Sequence, residues 1–295
     1  VSVWLNEDEG TSFPMHMVLN GYGARDLALV DVDADSDLDL VASNSHTGKN
    51  YVFFNITIDS AALWSERDVL RPARALLSVE MPQSSRRVEA VYQDQGQHVG
   101  RDVAKAVQLA DLDGDGDLDA LVASESAGTR VWFNDGDGGF EDREASLNTG
   151  ETAAVVVRDF DGDGDFDVVT GHRVEGGQLW KNDGGGRFTT GPAAFNVAGT
   201  RDVTAADFDG DGDVDLASAH LGPARVWINQ GDGTFVGTGT PLGDDDEQQR
   251  GIETGDFDAD GDFDILVVRE HRSPGQLWMN DGNGRFSRGK GVPSD

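Results

Sequence analysis

One nine-residue acidic loop, present five times, constrains this chain more than any other feature. The copies are DVDADSDLD (Asp31, Asp33, Asp35, Asp37, Asp39), DLDGDGDLD (Asp111, Asp113, Asp115, Asp117, Asp119), DFDGDGDFD (Asp159, Asp161, Asp163, Asp165, Asp167), DFDGDGDVD (Asp207, Asp209, Asp211, Asp213, Asp215) and DFDADGDFD (Asp256, Asp258, Asp260, Asp262, Asp264). Each holds carboxylates at all its odd positions, which like-charge repulsion opposes unless a cation sits among them. Oxygen-only ligands on a tight turn suit a hard ion, so the sequence predicts Ca²⁺, up to five ions with one per loop. Period-two spacing on a curled loop turns positions 1, 3 and 5 toward a common centre. Gly at position 6 permits a positive φ that a side chain would resist, and Ser36 there marks the first loop as the weakest site.

Other readings of the loops fit less well. An EF-hand needs Glu at position 12, where this chain has Ala42, Val122, Thr170, Ser218 and Val267. Apolar strand-like residues flank the loops, so EF-hand and dockerin helices are absent from the pattern. Magnesium would demand tighter octahedral geometry. A solvated acidic turn without metal is the ordinary reading of a charge run, but five phased copies with Gly inserts argue against it.

The loops begin at residues 31, 111, 159, 207 and 256, giving steps of 80, 48, 48 and 49. A second motif keeps this beat: VWFNDGDGGF (Val131–Phe140), LWKNDGGGRF (Leu179–Phe188), VWINQGDGTF (Val226–Phe235) and LWMNDGNGRF (Leu277–Phe286), with a further copy at Val3–Phe13. Periods of this size indicate supersecondary units that share a core by stacking. Each unit reads as four short strands: Val203–Ala206 enters a loop, Val214–Ala219 leaves it, Arg225–Asn229 follows, and a Gly-rich turn leads to a strand at Phe235. The expected fold is therefore an all-β propeller of four-stranded antiparallel blades. It has five loop-bearing blades plus an N-terminal half-blade, and the parent propeller is expected to have six or seven.

The Asp-x-Asp-x-Asp-Gly-x-x-Asp loop followed by Trp-x-Asn-x-Gly-Asp-Gly-x-Phe resembles the FG-GAP/VCBS repeat, the family that includes the calcium-binding blades of integrin α-subunits. The resemblance covers nearly all of residues 1–295, read as a single propeller domain. The literal Gly-Ala-Pro element is missing. The resemblance implies that position 7 supplies a backbone carbonyl and position 9 a carboxylate to the ion. It also implies that ligands bind on the face opposite the calcium loops.

The long first step comes from an insertion at residues 56–87, read as an extended hairpin with a short helix that starts near Ser60 and stops before Pro72. Val88–Tyr92 is read as the returning strand. Arg67, Arg71, Arg74, Arg86 and Arg87 make this the basic cluster of the chain and a candidate assembly contact.

Formal charge is −32, and the loops hold 25 of the 55 acidic residues. That balance argues against nucleic acid and anionic membrane as partners. No apolar run approaches a membrane span, so no membrane insertion is expected. The chain lacks cysteine, so bound calcium takes the cross-linking part that disulfides play in many secreted domains. Asn55-Ile56-Thr57 forms a glycosylation sequon. The expected location is extracellular or at the cell surface.

A second pattern lies at the opposite strand ends. His46, His172, His220 and His271 follow the second strand of four units, and Arg25, Arg101, Arg201 and Arg250 precede the first. Such a ring suits an acidic sugar or a partner's carboxylate, whereas the simpler reading makes these residues staples between blades. Trp4, Trp132, Trp180, Trp227 and Trp278 are read as inter-blade packing rather than sugar platforms. No nucleophile motif, zinc signature or phosphate loop appears. The leading functional expectation is a calcium-stabilised adhesion or binding module for a protein or glycan. A polysaccharide-lyase-like enzyme and a structural subunit of a surface assembly are the alternatives.

Overall fold

Apolar runs on either side of each acidic loop form the two inner strands of a sheet, and the Trp-x-Asn hairpin forms the outer two. The structure is a computed structural model. It describes residues 99, 103–143, 146–148, 150–243, 248–269 and 275–289 with their side chains, and the backbone of the six strands that precede them. The N-terminal sheet pairs β1 (Ser2–Leu5) with β2 (Met15–Val18). Blade 1 contains β3 (Ala24–Val30), β4 (Asp39–Asn44), β5 (Tyr51–Asn55) and β6 (Tyr92–His98). Blade 2 contains β7 (Ala104–Ala110), β8 (Asp119–Ser124), β9 (Thr129–Asn134) and β10 (Phe140–Glu141). Blade 3 contains β11 (Ala154–Arg158), β12 (Asp167–His172), β13 (Gly176–Asn182) and β14 (Phe188–Phe195). Blade 4 contains β15 (Asp202–Ala206), β16 (Asp215–Ala219), β17 (Arg225–Asn229) and β18 (Phe235–Gly237). Blade 5 contains β19 (Gln249–Gly255), β20 (Asp264–Arg269), β21 (Gln276–Asn280) and β22 (Phe286–Arg288).

Every pairing is antiparallel and sequential, so each blade is a meander. The first strands meet in order, β3 with β7, β7 with β11, β11 with β15 and β15 with β19. First strands that meet their neighbours in chain order are arrayed radially about an axis, which makes this a β-propeller, with five four-stranded blades and a two-stranded sheet among the described residues. Burial falls outward along each blade: β16 is buried throughout, whereas Val236 and Gly237 of β18 are exposed. The apolar core accordingly lies between blades. One cluster joins Val156, Phe160 and Leu179 of blade 3 to Val203, Leu216 and Trp227 of blade 4.

The fourth strand of blade 1 is Tyr92–His98, beginning where the expected Val88–Tyr92 ends. Register explains the shift, since Tyr92 pairs with Asn55 and Phe53 with Asp94. YQDQGQH carries no apolar alternation for a sequence pattern to find. The insertion at residues 56–87, with the helix expected in it and its arginines, lies outside the described residues, as do Asp31, Asp33, Asp35, Asp37, His46, Arg101 and His271.

Candidate metal centres and the central channel

Each described loop is shaped by its own carboxylates. In the loops of blades 2, 3 and 4, the position 1 carboxylate accepts two amides. Gly114, Gly162 and Gly210 donate to it at 2.8 Å, and Gly116, Gly164 and Gly212 at 3.0 Å. The position 5 carboxylate accepts the amide of position 7, as from Asp165 to Asp163 at 2.9 Å. Gly at position 6 has φ of 97° in Gly116, 98° in Gly164, 96° in Gly212 and 99° in Gly261, a conformation that requires glycine.

Position 3 breaks this self-sufficiency. Oδ1 of Asp113, Asp161 and Asp209 is buried without a hydrogen-bond partner. The other oxygen of Asp113 is held by Arg143 at 2.7 Å, and that of Asp161 by Lys181 at 2.9 Å. An orphaned carboxylate oxygen inside a ring of carboxylates is costly unless a cation meets it. Ligand oxygens lie within 4.8 Å of one another in four sets: Asp111, Asp113 and Asp115; Asp159, Asp161 and Asp167; Asp207, Asp209 and Asp215; Asp256, Asp258 and Asp260. These Asp-rich groups can hold a metal ion, and their all-oxygen chemistry fits a hard one. The position 7 residues Asp117, Asp165, Asp213 and Asp262 belong to none of the sets.

The fifth loop is built less well. Ala259 occupies position 4, where the loops of blades 2, 3 and 4 have Gly, and adopts φ of 63°. Its loop closes through Asp260, whose amide donates to Asp256 at 3.2 Å. A left-handed alanine costs about 1 kcal/mol or more. Ala259→Gly should therefore stabilise blade 5 by about 0.5 kcal/mol after the entropy of the added glycine, a gain read from the urea midpoint. A lowered midpoint would contradict this account of the loop.

Position 9 ties the loop to its blade. One oxygen of Asp119, Asp167 and Asp215 accepts the position 2 amide, at 2.8 Å from Leu112, 3.2 Å from Phe160 and 2.8 Å from Phe208. The other accepts the backbone amide of the Trp-x-Asn asparagine, at 2.9 Å from Asn134, 2.9 Å from Asn182 and 2.7 Å from Asn229. Burial pushes Asp119 and Asp167 up to about 6 and Asp215 up to about 7, although the two amides pull each the other way. Without an ion, stability from these groups is full below the ordinary value of 3.8 and is lost as pH rises through 6 to 7. His220 acts oppositely: burial lowers it to about 4, so its contribution is present above 6.5 and lost as pH falls toward 4. In EDTA, the melting temperature should therefore rise as pH drops from about 7.5 to about 6.5, where these carboxylates titrate and most of the His220 contribution is retained. With calcium the rise should vanish, because the metal keeps the carboxylates ionised. Parallel pH profiles in EDTA and in calcium would contradict this coupling.

The asparagine also locks each blade to the one before it. Nδ2 of Asn182 donates to the Leu112 carbonyl at 2.8 Å, that of Asn229 to Phe160 at 2.8 Å, and that of Asn280 to Phe208 at 2.8 Å. The same group donates to the position 8 carbonyl of its own loop, as from Asn229 to Val214 at 3.0 Å. The position 2 side chain follows this lock into the neighbouring blade. Phe160 meets Phe235 edge-on at 5.7 Å, and Phe208 meets Phe286 at 5.6 Å. Phe160 and Phe208 are 1% and 0% exposed, whereas Phe257 on the outer side of blade 5 is 48% exposed.

Trp180 and Trp227 pack between blades and each anchors a short polar relay. Trp227 stacks on Phe195 at 5.5 Å, and its indole N–H donates to Ser218 at 2.8 Å. Ser218 Oγ in turn lies 2.8 Å from His220 Nε2, and His220 is 2% exposed. Blade 3 repeats the arrangement: Trp180 donates to Thr170 at 3.0 Å, and Thr170 lies 3.0 Å from His172 Nε2, with His172 Nδ1 2.9 Å from the Glu151 carbonyl. Both Nε2 atoms thus meet a hydroxyl of their own blade, and the His220 ring also meets Phe195 of blade 3 edge-on at 5.9 Å.

The arginines go elsewhere. Arg201 and Arg250 line a cavity of about 410 Å³ bounded by residues of the inner strands β7, β11, β15 and β19, which is the central channel. Lys105, Arg158 and Arg173 line it as well. Arg25 lies in β3, whose side chains are outside the described residues. The aspartate of the Arg-Asp pair is a staple: Asp202 accepts the amide of Ile252 in the next blade at 3.1 Å.

The model of the FG-GAP-like repeat matches three overlapping segments, residues 111–170, 159–218 and 207–267, together more than half of the chain. The chain belongs to the FG-GAP-like repeat family. No curated protein matches it in sequence. Among solved structures it is similar to an Agrocybe aegerita lectin described as specifically recognising non-reducing terminal N-acetylglucosamine. The TM-score is 0.57 and identity 19%, with 95% of this chain and 74% of the lectin covered. It is also similar to BBS1N from a complex with ARL6DN, with a TM-score of 0.55 and 9% identity over 93% of this chain and 69% of that one. At these identities the likeness shows the fold alone. No helix among the described residues is long and apolar enough to cross a membrane.

Within these FG-GAP-like repeats, sequence reasoning missed two groups. The asparagine lock was written in the periodic Trp-x-Asn spacing, but nothing in the spacing says that the amide reaches a neighbouring blade. Lys105 stands six residues before its loop, as Arg25, Arg201 and Arg250 do before theirs, a match that lysine in place of arginine conceals, whereas Arg158 and Arg173 belong to no shared repeat position; all three join Arg201 and Arg250 because the inner strands converge.

Proposed function

We propose that this chain is a calcium-stabilised extracellular binding propeller whose partner, a protein or a glycan, approaches the face opposite the acidic loops. The orphaned, buried Oδ1 atoms of Asp113, Asp161 and Asp209 carry the calcium part of this reading. Carboxylates at positions 1, 3, 5 and 9 would hold the ion, with the position 7 backbone carbonyl beside them. The ion's chemistry there is charge neutralisation, and the protein's own groups bend the loop and bind it to the blade. The binding part is supported by the cationic lining of the channel in an otherwise acidic molecule.

Two measurements test the reading. Asp163→Ala should weaken calcium binding in blade 3 by tenfold or more, on the order of one lost charged ligand, whereas Asp165→Ala should change it about threefold or less. Equal losses in a calcium titration would reject the ligand assignment. A glycan array and a partner pulldown, each with calcium and with EDTA, test the binding role. Absence of any calcium-dependent capture in both would reject it.

A further inference from the structure

We propose that the channel end remote from the acidic loops is a binding site for an acidic saccharide of one or two residues, a uronate in its simplest form. This deepens the binding-module reading and rests on it. Antiparallel pairing sets the geometry, since Arg158 opposes Asp167 at the loop end of blade 3 and Ala154 opposes Gly171 at the other. Lys105 and Arg250 are near the starts of β7 and β19, Arg201 immediately precedes β15, and Arg173 follows β12. Four successive blades therefore each contribute one cation to the same end of the channel. Arg158, at the far end of β11, adds a fifth to its wall.

Charge in the wall is unbalanced. Against these five cations the lining holds two carboxylates, Asp202 and Glu253. Asp202 is already committed to the amides of Val203 at 2.9 Å and Ile252 at 3.1 Å. Lys105 and Arg173 are steadied by Glu125 and Glu151, each at 3.0 Å. Arg201 Nε is buried and has no hydrogen-bond partner among the described residues. A buried guanidinium N–H without an acceptor is costly, and an incoming carboxylate would supply that acceptor in a forked geometry.

Size selects the ligand. A cavity of about 410 Å³ admits one or two sugar rings. A folded protein partner could insert only a side chain or two into a cavity of this size. The placement also keeps the ligand's carboxylate away from the acidic loops, so ligand and metal do not compete for each other.

The test is calorimetry on the calcium-loaded chain with digalacturonate, neutral galactobiose and a hexaglutamate peptide. Digalacturonate is expected to bind saturably and galactobiose not to bind. Arg201→Ala and Arg250→Ala should each weaken digalacturonate by about tenfold or more. If Arg201→Ala fails to fold, Arg250→Ala decides the matter. The site assignment is overturned by no saturable digalacturonate binding, by equal binding of galactobiose, or by both variants binding like the parent. Tighter binding of hexaglutamate overturns the saccharide assignment in favour of a protein partner. Calcium-dependent melting, followed in the same samples, reports separately on the metal reading.

Discussion

Chelation with EDTA is expected to lower the melting temperature by about 20 °C or more, or to abolish the cooperative transition. The magnitude follows from linkage. A site held at about a hundredfold over its dissociation constant stabilises the native state by about 2.7 kcal/mol, so the four described loops together contribute about 10 kcal/mol. That is comparable with the whole stability of an ordinary domain, about 5–15 kcal/mol. Conversion at about 2–4 °C per kcal/mol gives the stated fall. The loss exceeds that of four independent loops coming loose, because each position 9 aspartate also holds the amide of its Trp-x-Asn asparagine. Scanning calorimetry with calcium, with EDTA and after calcium is restored measures it. Superimposable traces would remove calcium from the account of this fold.

Asn229→Ala is expected to cost about 3–5 kcal/mol, more than any other single change outside the acidic loops discussed above. The substitution strands two carbonyls, Phe160 in blade 3 and Val214 in its own blade. A buried acceptor left without its donor costs about 1–3 kcal/mol. It also frees the amides of Gly231 and Gly233, which donate to Asn229 Oδ1 at 3.2 Å. Gln230→Ala, next door on the surface, should stay within about 0.5 kcal/mol of the parent. Urea denaturation of both variants in calcium makes the comparison. A cost under about 1 kcal/mol for Asn229→Ala would mean that packing alone, not the asparagine lock, holds blades 3 and 4 together.

The blade and its register were legible because one repeat imposes one pattern four times over. Arg225–Asn229 was delimited from the sequence alone and is β17. Outer strands were less legible, as Tyr92–His98 shows, since YQDQGQH lacks the apolar alternation by which a strand is read. The weakness of the fifth loop was not read from the sequence, which singled out the first. Ser36 drew notice as a departure at position 6, whereas Ala259 at position 4 became informative only once its φ of 63° was known.

The ligand-face residues divide along the same line. Spacing put Arg201, Arg250, His172 and His220 at the same end of their strands, and a strand period says nothing about which way a side chain leaves that end. His220 and His172 turn into their blades to meet Ser218 and Thr170, and Arg201 and Arg250 turn toward the axis.

By itself the sequence determined the blade, because alternating aspartates and fixed glycines are local devices whose physics needs no distant partner. Only the tertiary structure decided what happens between blades. The carbonyl that each asparagine reaches and the pocket that each position 2 phenylalanine fills join residues about seventy positions apart, and the five cations that converge on one channel come from four blades. Such contacts arise from the radial stacking of identical units, and a linear period carries no information about the direction in which those units turn.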